Sequence, residues 1–198
     1  MNSVIIGVTG KIGSGKTTLI SMFEKADFFV INCDVFARTM IDNSHEILDK
    51  LKLKFGNIIF DKENKLDRKK LREIVFNNKK ELQNLNSITH PFLFLELKKF
   101  LLYCKNIKQN IVFEAAVMFE AKLHKLADNV LWVESDLENI LKRVSLRDNE
   151  KINTLKNIYK NQVNYQDYAQ YIDFRIFNNS NIEDFKKDVN NIIKKLKI

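Results

Sequence analysis

Glycine, proline and cysteine are all scarce: five, one and two among 198 residues. Two cysteines, Cys33 and Cys104, are too few and too far apart for a disulfide framework or a metal-ligand spacing, so each reads as a small buried residue. No apolar run approaches the ~20 residues that span a membrane. Val4–Val8 is apolar but shorter than a signal-peptide core, and it runs straight into glycine, which leads us to expect a cytoplasmic protein. Disorder is excluded by 45% apolar and 29% charged residues. Net charge is +8, but the lysines are scattered over nearly every predicted helix, as solvated faces would scatter them.

Four of the five glycines, Gly7, Gly10, Gly13 and Gly15, fall between positions 7 and 15. A chain this sparing of glycine has concentrated its backbone freedom where a tight turn or close approach to a ligand requires it. Before the cluster, Ser3–Val8 reads as a buried strand; after it, Leu19, Ile20 and Phe23 recur at helical spacing, and Phe28–Ile31 is a second strand. Strand, helix and strand in close succession predict a parallel pairing. From 37 to 106 the pattern turns helical, with one helix closed by Gly56, another broken by Pro91 and a further one over Phe92–Tyr103. Strands resume at Ile111–Phe113, Val130–Val133 and Phe174–Phe177, and Ser135 to Glu138 reads as a capping box opening a helix through Arg147. The expectation is an α/β fold: a doubly wound, mostly parallel five-stranded sheet with a helical insertion, all within one folding unit.

Gly10-Lys11-Ile12-Gly13-Ser14-Gly15-Lys16-Thr17 fits G-x-x-x-x-G-K followed by Ser or Thr, between a predicted strand and a predicted helix. Glycines let successive N–H groups turn inward around a phosphate, and the helix start adds its positive dipole end. Lys16 would reach the β- and γ-phosphates of a nucleoside triphosphate, and Thr17 would give its hydroxyl to Mg²⁺, with Lys11, Ile12, Gly13, Ser14, Gly15 and Thr18 completing the nucleotide site. The motif alone leaves kinase, GTPase and ATP-driven motor open. Asp34 lies just past the second strand, at the edge where open α/β sheets bind ligands, and a carboxylate there can take a proton from an attacking hydroxyl or simply start a helix. Arg143 and Arg147, about 6 Å apart along one helix, suit a clamp on phosphoryl oxygens or a solvated, acid-paired face.

At these residues the chain resembles the dephospho-coenzyme A kinases. GVTGKIGSGKTTL is similar to that family's opening and VINCDVFAR to its second-strand motif. Leu66-Asp67-Arg68, Leu71-Arg72, Phe76 and His90-Pro91 resemble its helical substrate domain, and EAAVMFEAKL, LKRVSLRD and Asp173 to Asn178 complete the series. The resemblance implies ATP and Mg²⁺, and transfer to the ribose 3′-hydroxyl of dephospho-coenzyme A. Asp34 would be the base; Lys16, Arg143 and Arg147 would hold the phosphates; Thr9, Arg38, Arg68 and His90 would bind the acceptor, although His90 is equally a structural histidine beside Pro91. It also implies a nucleotide-binding core over 1–36 and 107–198, a coenzyme A-binding insertion over 37–106 and a lid over 148–171. Lys11 departs from the family's usual glycine, Asn32 from a common aspartate, and Ala116 from a common proline. Tyr168 and Tyr171 stand where Lys or Arg is frequent, so it stays open which lid residues touch ATP. Two rivals remain: another kinase of nucleosides or nucleotides, which would not explain the Leu66–Pro91 pattern, and a basic nucleic-acid binder, for which no motif is found.

Overall fold

A computed structural model describes residues 3–76, 78–148 and 152–196. In chain order the elements are β1 (Ile5–Gly10), α1 (Lys16–Lys25), β2 (Phe29–Asn32), α2 (Cys33–Asp42), α3 (His45–Phe55), α4 (Arg68–Phe76), α5 (Lys79–Asn106), β3 (Ile111–Glu114), β4 (Asn129–Glu134), α6 (Leu137–Asp148), α7 (Ile152–Asn161), α8 (Tyr165–Tyr168), β5 (Phe174–Phe177) and α9 (Ile182–Leu196). Residues up to Asn32 and those from Leu101 onward form one compact unit; Cys33–Phe100 form the other. The helical unit begins and ends a few residues before the expected 37 and 106, because α2 starts directly at Cys33 and the division falls within α5.

In the first unit the five strands form one parallel sheet in the order β2-β3-β1-β4-β5. The interior strands β1, β3 and β4 were legible because parallel strands covered on both faces need continuous apolar runs, while the edge strands β2 and β5 are partly exposed. Ile6, Val8, Val112, Leu131, Val133 and Ile176 pack against Leu19 and Phe23 of α1 and Phe185, Val189 and Ile193 of α9. Against Gly7 the space is closed by Met118, Phe113 and Ala127. Val8 and Asn32 both pair with Glu114, so the carboxyl ends of β1 and β2 share one edge, two strand spacings or about 10 Å apart. β1 is interior to the sheet, with β3 on one side and β4 on the other, and the glycine loop leaves from its end.

The helical unit has its own, smaller core of Ile41, Ile47, Leu51, Ile59, Phe60, Leu71 and Val75. Asp67 starts α4 by accepting N–H bonds from Lys69 and Lys70, and Leu66 packs at the rim of that core.

Two expectations are corrected. Pro91 does not break its helix: α5 runs unbroken from Lys79 to Asn106. Its ring is on the exposed side, where the Ser87 carbonyl that loses its amide partner can turn to water, while buried Leu93 and Leu97 hold the helix on the opposite side. Ser135 does not cap α6, which starts at Leu137; its hydroxyl instead bonds the Asn178 carbonyl at 2.9 Å and the Asn179 side chain at 3.1 Å. Among the described residues no helix is long and apolar enough to cross a membrane.

Candidate active site

The loop after β1 is built on three positive backbone angles: φ 145° at Gly10, 70° at Gly13 and 107° at Gly15. Each position is also closed to a side chain. A Cβ on Gly10 would drive into the Val133 carbonyl, one on Gly13 would lie 2.5 Å from Val144 Cγ2, and one on Gly15 would drive into the Asn178 amide. The loop is therefore seated on β4, α6 and the turn after β5.

Inside it, Lys16 Nζ donates to the carbonyls of Gly10 at 2.9 Å and Lys11 at 3.0 Å, holding the ammonium within the loop. Ser14 is fully buried, and its hydroxyl has no partner among the described residues. A buried hydroxyl left unpaired costs about 1–3 kcal/mol, so a polar ligand is the natural complement of this loop. Hydroxyl, ammonium and a helix N-terminus together select an anion. Thr17 is exposed in the first turn of α1, Thr18 is half-buried, and Thr9 is buried in β1. Among the described residues no cluster of three acidic, histidine or cysteine side chains offers a metal cage. The exposed Thr17 hydroxyl offers one oxygen, and Mg²⁺ commonly takes one or two protein oxygens and completes its shell with substrate phosphates and water.

Behind the loop, Asn178 Nδ2 donates to the Ser14 carbonyl at 2.9 Å. Arg143 donates to the Asn178 carbonyl at 2.8 Å, to its side-chain oxygen at 3.3 Å and to Ser135 Oγ at 3.1 Å. Arg143 thus fixes the turn that supports the loop, and three of its contacts are to protein. The Arg147 side chain lies outside the described residues. Asn178 appeared in the sequence only at the end of a family motif; nothing about it there revealed a buttress of the glycine loop.

A second segment reaches the loop from the end of α7 and the residues that follow it. The Ile12 N–H donates to Gln162 Oε1 at 2.8 Å; Lys11 Nζ donates to Asn164 Oδ1 at 2.8 Å and lies 3.7 Å from the centre of the Tyr159 ring. Lys11, Trp132, Glu134, Tyr159, Asn164 and Tyr165 line a cavity of about 260 Å³. Burial lowers the Lys11 pKa, opposed by the nearby carboxylates of Glu134 and Asp167. Beyond the cavity Tyr168 stacks on Phe119 with centroids 4.1 Å apart, and Tyr171 packs against His124 at 4.8 Å. These two tyrosines anchor the end of the segment by aromatic packing. Burial also pulls the His124 pKa below its usual value, and His124 Nδ1 has no partner among the described residues. Gln162 and Asn164 were missed in the sequence, where they are two ordinary amides far from the loop they bond.

In the helical unit, Asp34 and Arg38 are exposed on α2, one turn apart on the same face, with Asp42 a turn further on. Arg68 donates to Asp42 Oδ1 at 2.7 Å and to the Arg38 carbonyl at 3.2 Å. This ion pair is partly exposed and worth about 0–1 kcal/mol, so a stronger anion would displace it readily. His90 is half-buried in α5, immediately before Pro91.

A strand–glycine loop–helix unit interior to a five-stranded parallel sheet, with a buried hydroxyl and a lysine at the loop, defines a P-loop nucleotide-binding fold. The sequence model of the dephospho-CoA kinase family matches residues 4–184. The chain is 37% identical to the dephospho-CoA kinase of Fusobacterium nucleatum over 96% of both chains, and 33% identical to that of Leptospira interrogans over 93% of this chain and 88% of the relative. The solved dephospho-CoA kinase from Campylobacter jejuni superposes with a TM-score of 0.72 at 27% identity, covering 96% of each chain. The chain belongs to the dephospho-CoA kinase family.

Proposed function

We propose that this chain transfers the γ-phosphoryl group of ATP to the ribose 3′-hydroxyl of dephospho-coenzyme A, giving coenzyme A and ADP. The observation that carries this reading is a match to the dephospho-CoA kinase family along nearly the whole chain, joined to a loop whose buried Ser14 hydroxyl and Lys16 ammonium suit a triphosphate.

In this reading the 3′-oxygen attacks the γ-phosphorus in line as the bond to the β–γ bridging oxygen breaks, and ADP leaves with that electron pair. Asp34 takes the hydroxyl proton. The transition state is loose, so positioning and charge neutralisation matter more than base strength. Lys16 gives up its two carbonyl partners for the β- and γ-phosphates. Mg²⁺, held by Thr17 and phosphate oxygens, would neutralise charge on the β- and γ-groups. The N–H groups of Gly13 to Thr18 donate to phosphate oxygens, while Arg143, which steadies the loop through Asn178, and Arg147 would neutralise phosphate charge. The Cys33–Phe100 helices grip the acceptor: Arg38 and Arg68 take its anionic groups, and His90 and Thr9 contact its polar atoms. Residues 148–171 act as the lid, excluding water so that ATP is spent on the alcohol. The partners are small molecules in the cytoplasm, with no nucleic acid or membrane among them.

A panel of acceptors with labelled ATP tests the assignment. Label should enter dephospho-coenzyme A at least a hundredfold faster than adenosine or AMP. Equal or faster transfer to the nucleosides would replace this reading with that of a nucleoside or nucleotide kinase, and salt-sensitive RNA binding without transfer would replace it with that of a nucleic-acid binder.

A further inference from the structure

We propose that Lys11 is a positioning residue that fastens the 159–164 segment over the phosphate loop, so that the lid's grip on ATP depends on a side chain of the loop itself. This builds on the kinase reading above and gives Lys11 a place apart from the phosphates.

The bonding of Lys11 carries the inference. Its ammonium is engaged on the lid side, by the Asn164 amide oxygen at 2.8 Å and the face of the Tyr159 ring at 3.7 Å. The neighbouring Ile12 N–H is taken by Gln162 at 2.8 Å, so two consecutive loop residues bind the same short segment. Lys16, by contrast, points its ammonium into the loop at the Gly10 and Lys11 carbonyls. Two lysines five positions apart therefore face different tasks, one toward phosphate and one toward the lid. Asn164 immediately precedes α8, whose last residue Tyr168 is stacked on Phe119, so the segment is held at both ends: by the loop at 159–164 and by aromatic packing at 168. A glycine at position 11 would supply neither the hydrogen bond nor the ring contact.

The only tryptophan, Trp132, lines the same cavity as Lys11 and Tyr159 and sits edge-on to Tyr165 with centroids 6.1 Å apart, so its emission reports on the latch without any catalysis. The test uses the full chain with Lys11→Met, Asn164→Ala, the two combined, and Lys11→Arg, which keeps the cation and can still stack on Tyr159. It measures Trp132 emission, tryptic cleavage after Lys160 identified by fragment mass, and ADP released without acceptor relative to phosphate transferred.

A charge-assisted bond and a ring contact, both partly solvated, should be worth roughly a five- to tenfold change in opening. Lys11→Met should shift the emission, speed cleavage after Lys160 about that much and raise acceptor-independent ADP release in proportion. Asn164→Ala should do the same, the pair should be no worse than the stronger single change, and Lys11→Arg should restore most of the loss. Unchanged emission and cleavage in Lys11→Met, or additive effects in the pair, would overturn the latch and return Lys11 to the phosphates. If emission and cleavage shift as expected while no phosphate reaches dephospho-coenzyme A, the latch stands and the acceptor assignment falls.

Discussion

The sheet unit and the helical unit solve different problems with the same chain. The sheet unit concentrates its constraints: three glycines with positive φ, a buried hydroxyl and a lysine lie at the end of an interior strand, backed by side chains with almost no exposure. The helical unit spreads its polar candidates over an exposed face of α2, the start of α4 and the middle of α5, on a smaller core rimmed by half-buried residues. The first arrangement suits a charge pattern that tolerates little displacement, as phosphoryl transfer requires. The second suits recognition of a long, irregular acceptor, in which several modest contacts add up. On the proposed reading, the chemistry common to a class of kinases falls to the sheet unit, and acceptor choice to the helical unit.

Exchanging damage between the two units is the sharpest way to break this contrast. Lys16→Ala should lower kcat for phosphate transfer by about 10²–10³ or more, the loss expected when a preorganised charge is removed from a transition state. Asp34→Asn should cost no more than that, because base strength matters little in a loose transition state; a full-rate Lys16→Ala enzyme would dissolve the distinction. Leu51→Ala, deep in the helical core, should cost about 3 kcal/mol in denaturant unfolding and raise KM for dephospho-coenzyme A more than for ATP. Gly13→Ala, at φ 70° against Val144, should cost about 1–3 kcal/mol and raise KM for ATP with little change for the acceptor.

The smallest expected effect is on pH dependence. Burial lowers the folded-state pKa of His124 below 6.5, so on acidification the unfolded chain takes up its proton first. The His124 contribution is complete above the unfolded value and is lost as pH falls through the folded one. His124→Asn should therefore flatten the fall in Tm between about pH 7 and pH 5; a parallel fall in parent and variant would count against this assignment.

Local features were the legible part of the sequence. Apolar runs were clearest in β1, β3 and β4, because parallel strands buried on both faces cannot alternate, and the clustered glycines gave the loop, because φ values of 145° at Gly10 and 107° at Gly15 disfavour any residue with a Cβ. The strand order was not legible, since it rests on pairings such as Val8 with Glu114 that no local pattern encodes. Pro91 misled because propensity yielded to packing on the buried side of α5. Ser135 misled because a hydroxyl that fits a helix cap fits an arginine and an asparagine carbonyl equally well. The latch partners Gln162 and Asn164 stayed hidden for the same reason as Asn178: a single amide carries no sign of what it will meet across the fold.

The most direct test is to incubate the purified chain with ATP, Mg²⁺ and dephospho-coenzyme A and to follow the mass of the acceptor. The account predicts a product heavier by one phosphoryl group, formed one-for-one with ADP and lost in Lys16→Ala. An acceptor of unchanged mass while ATP is consumed, or a product formed equally well without Lys16, would contradict it.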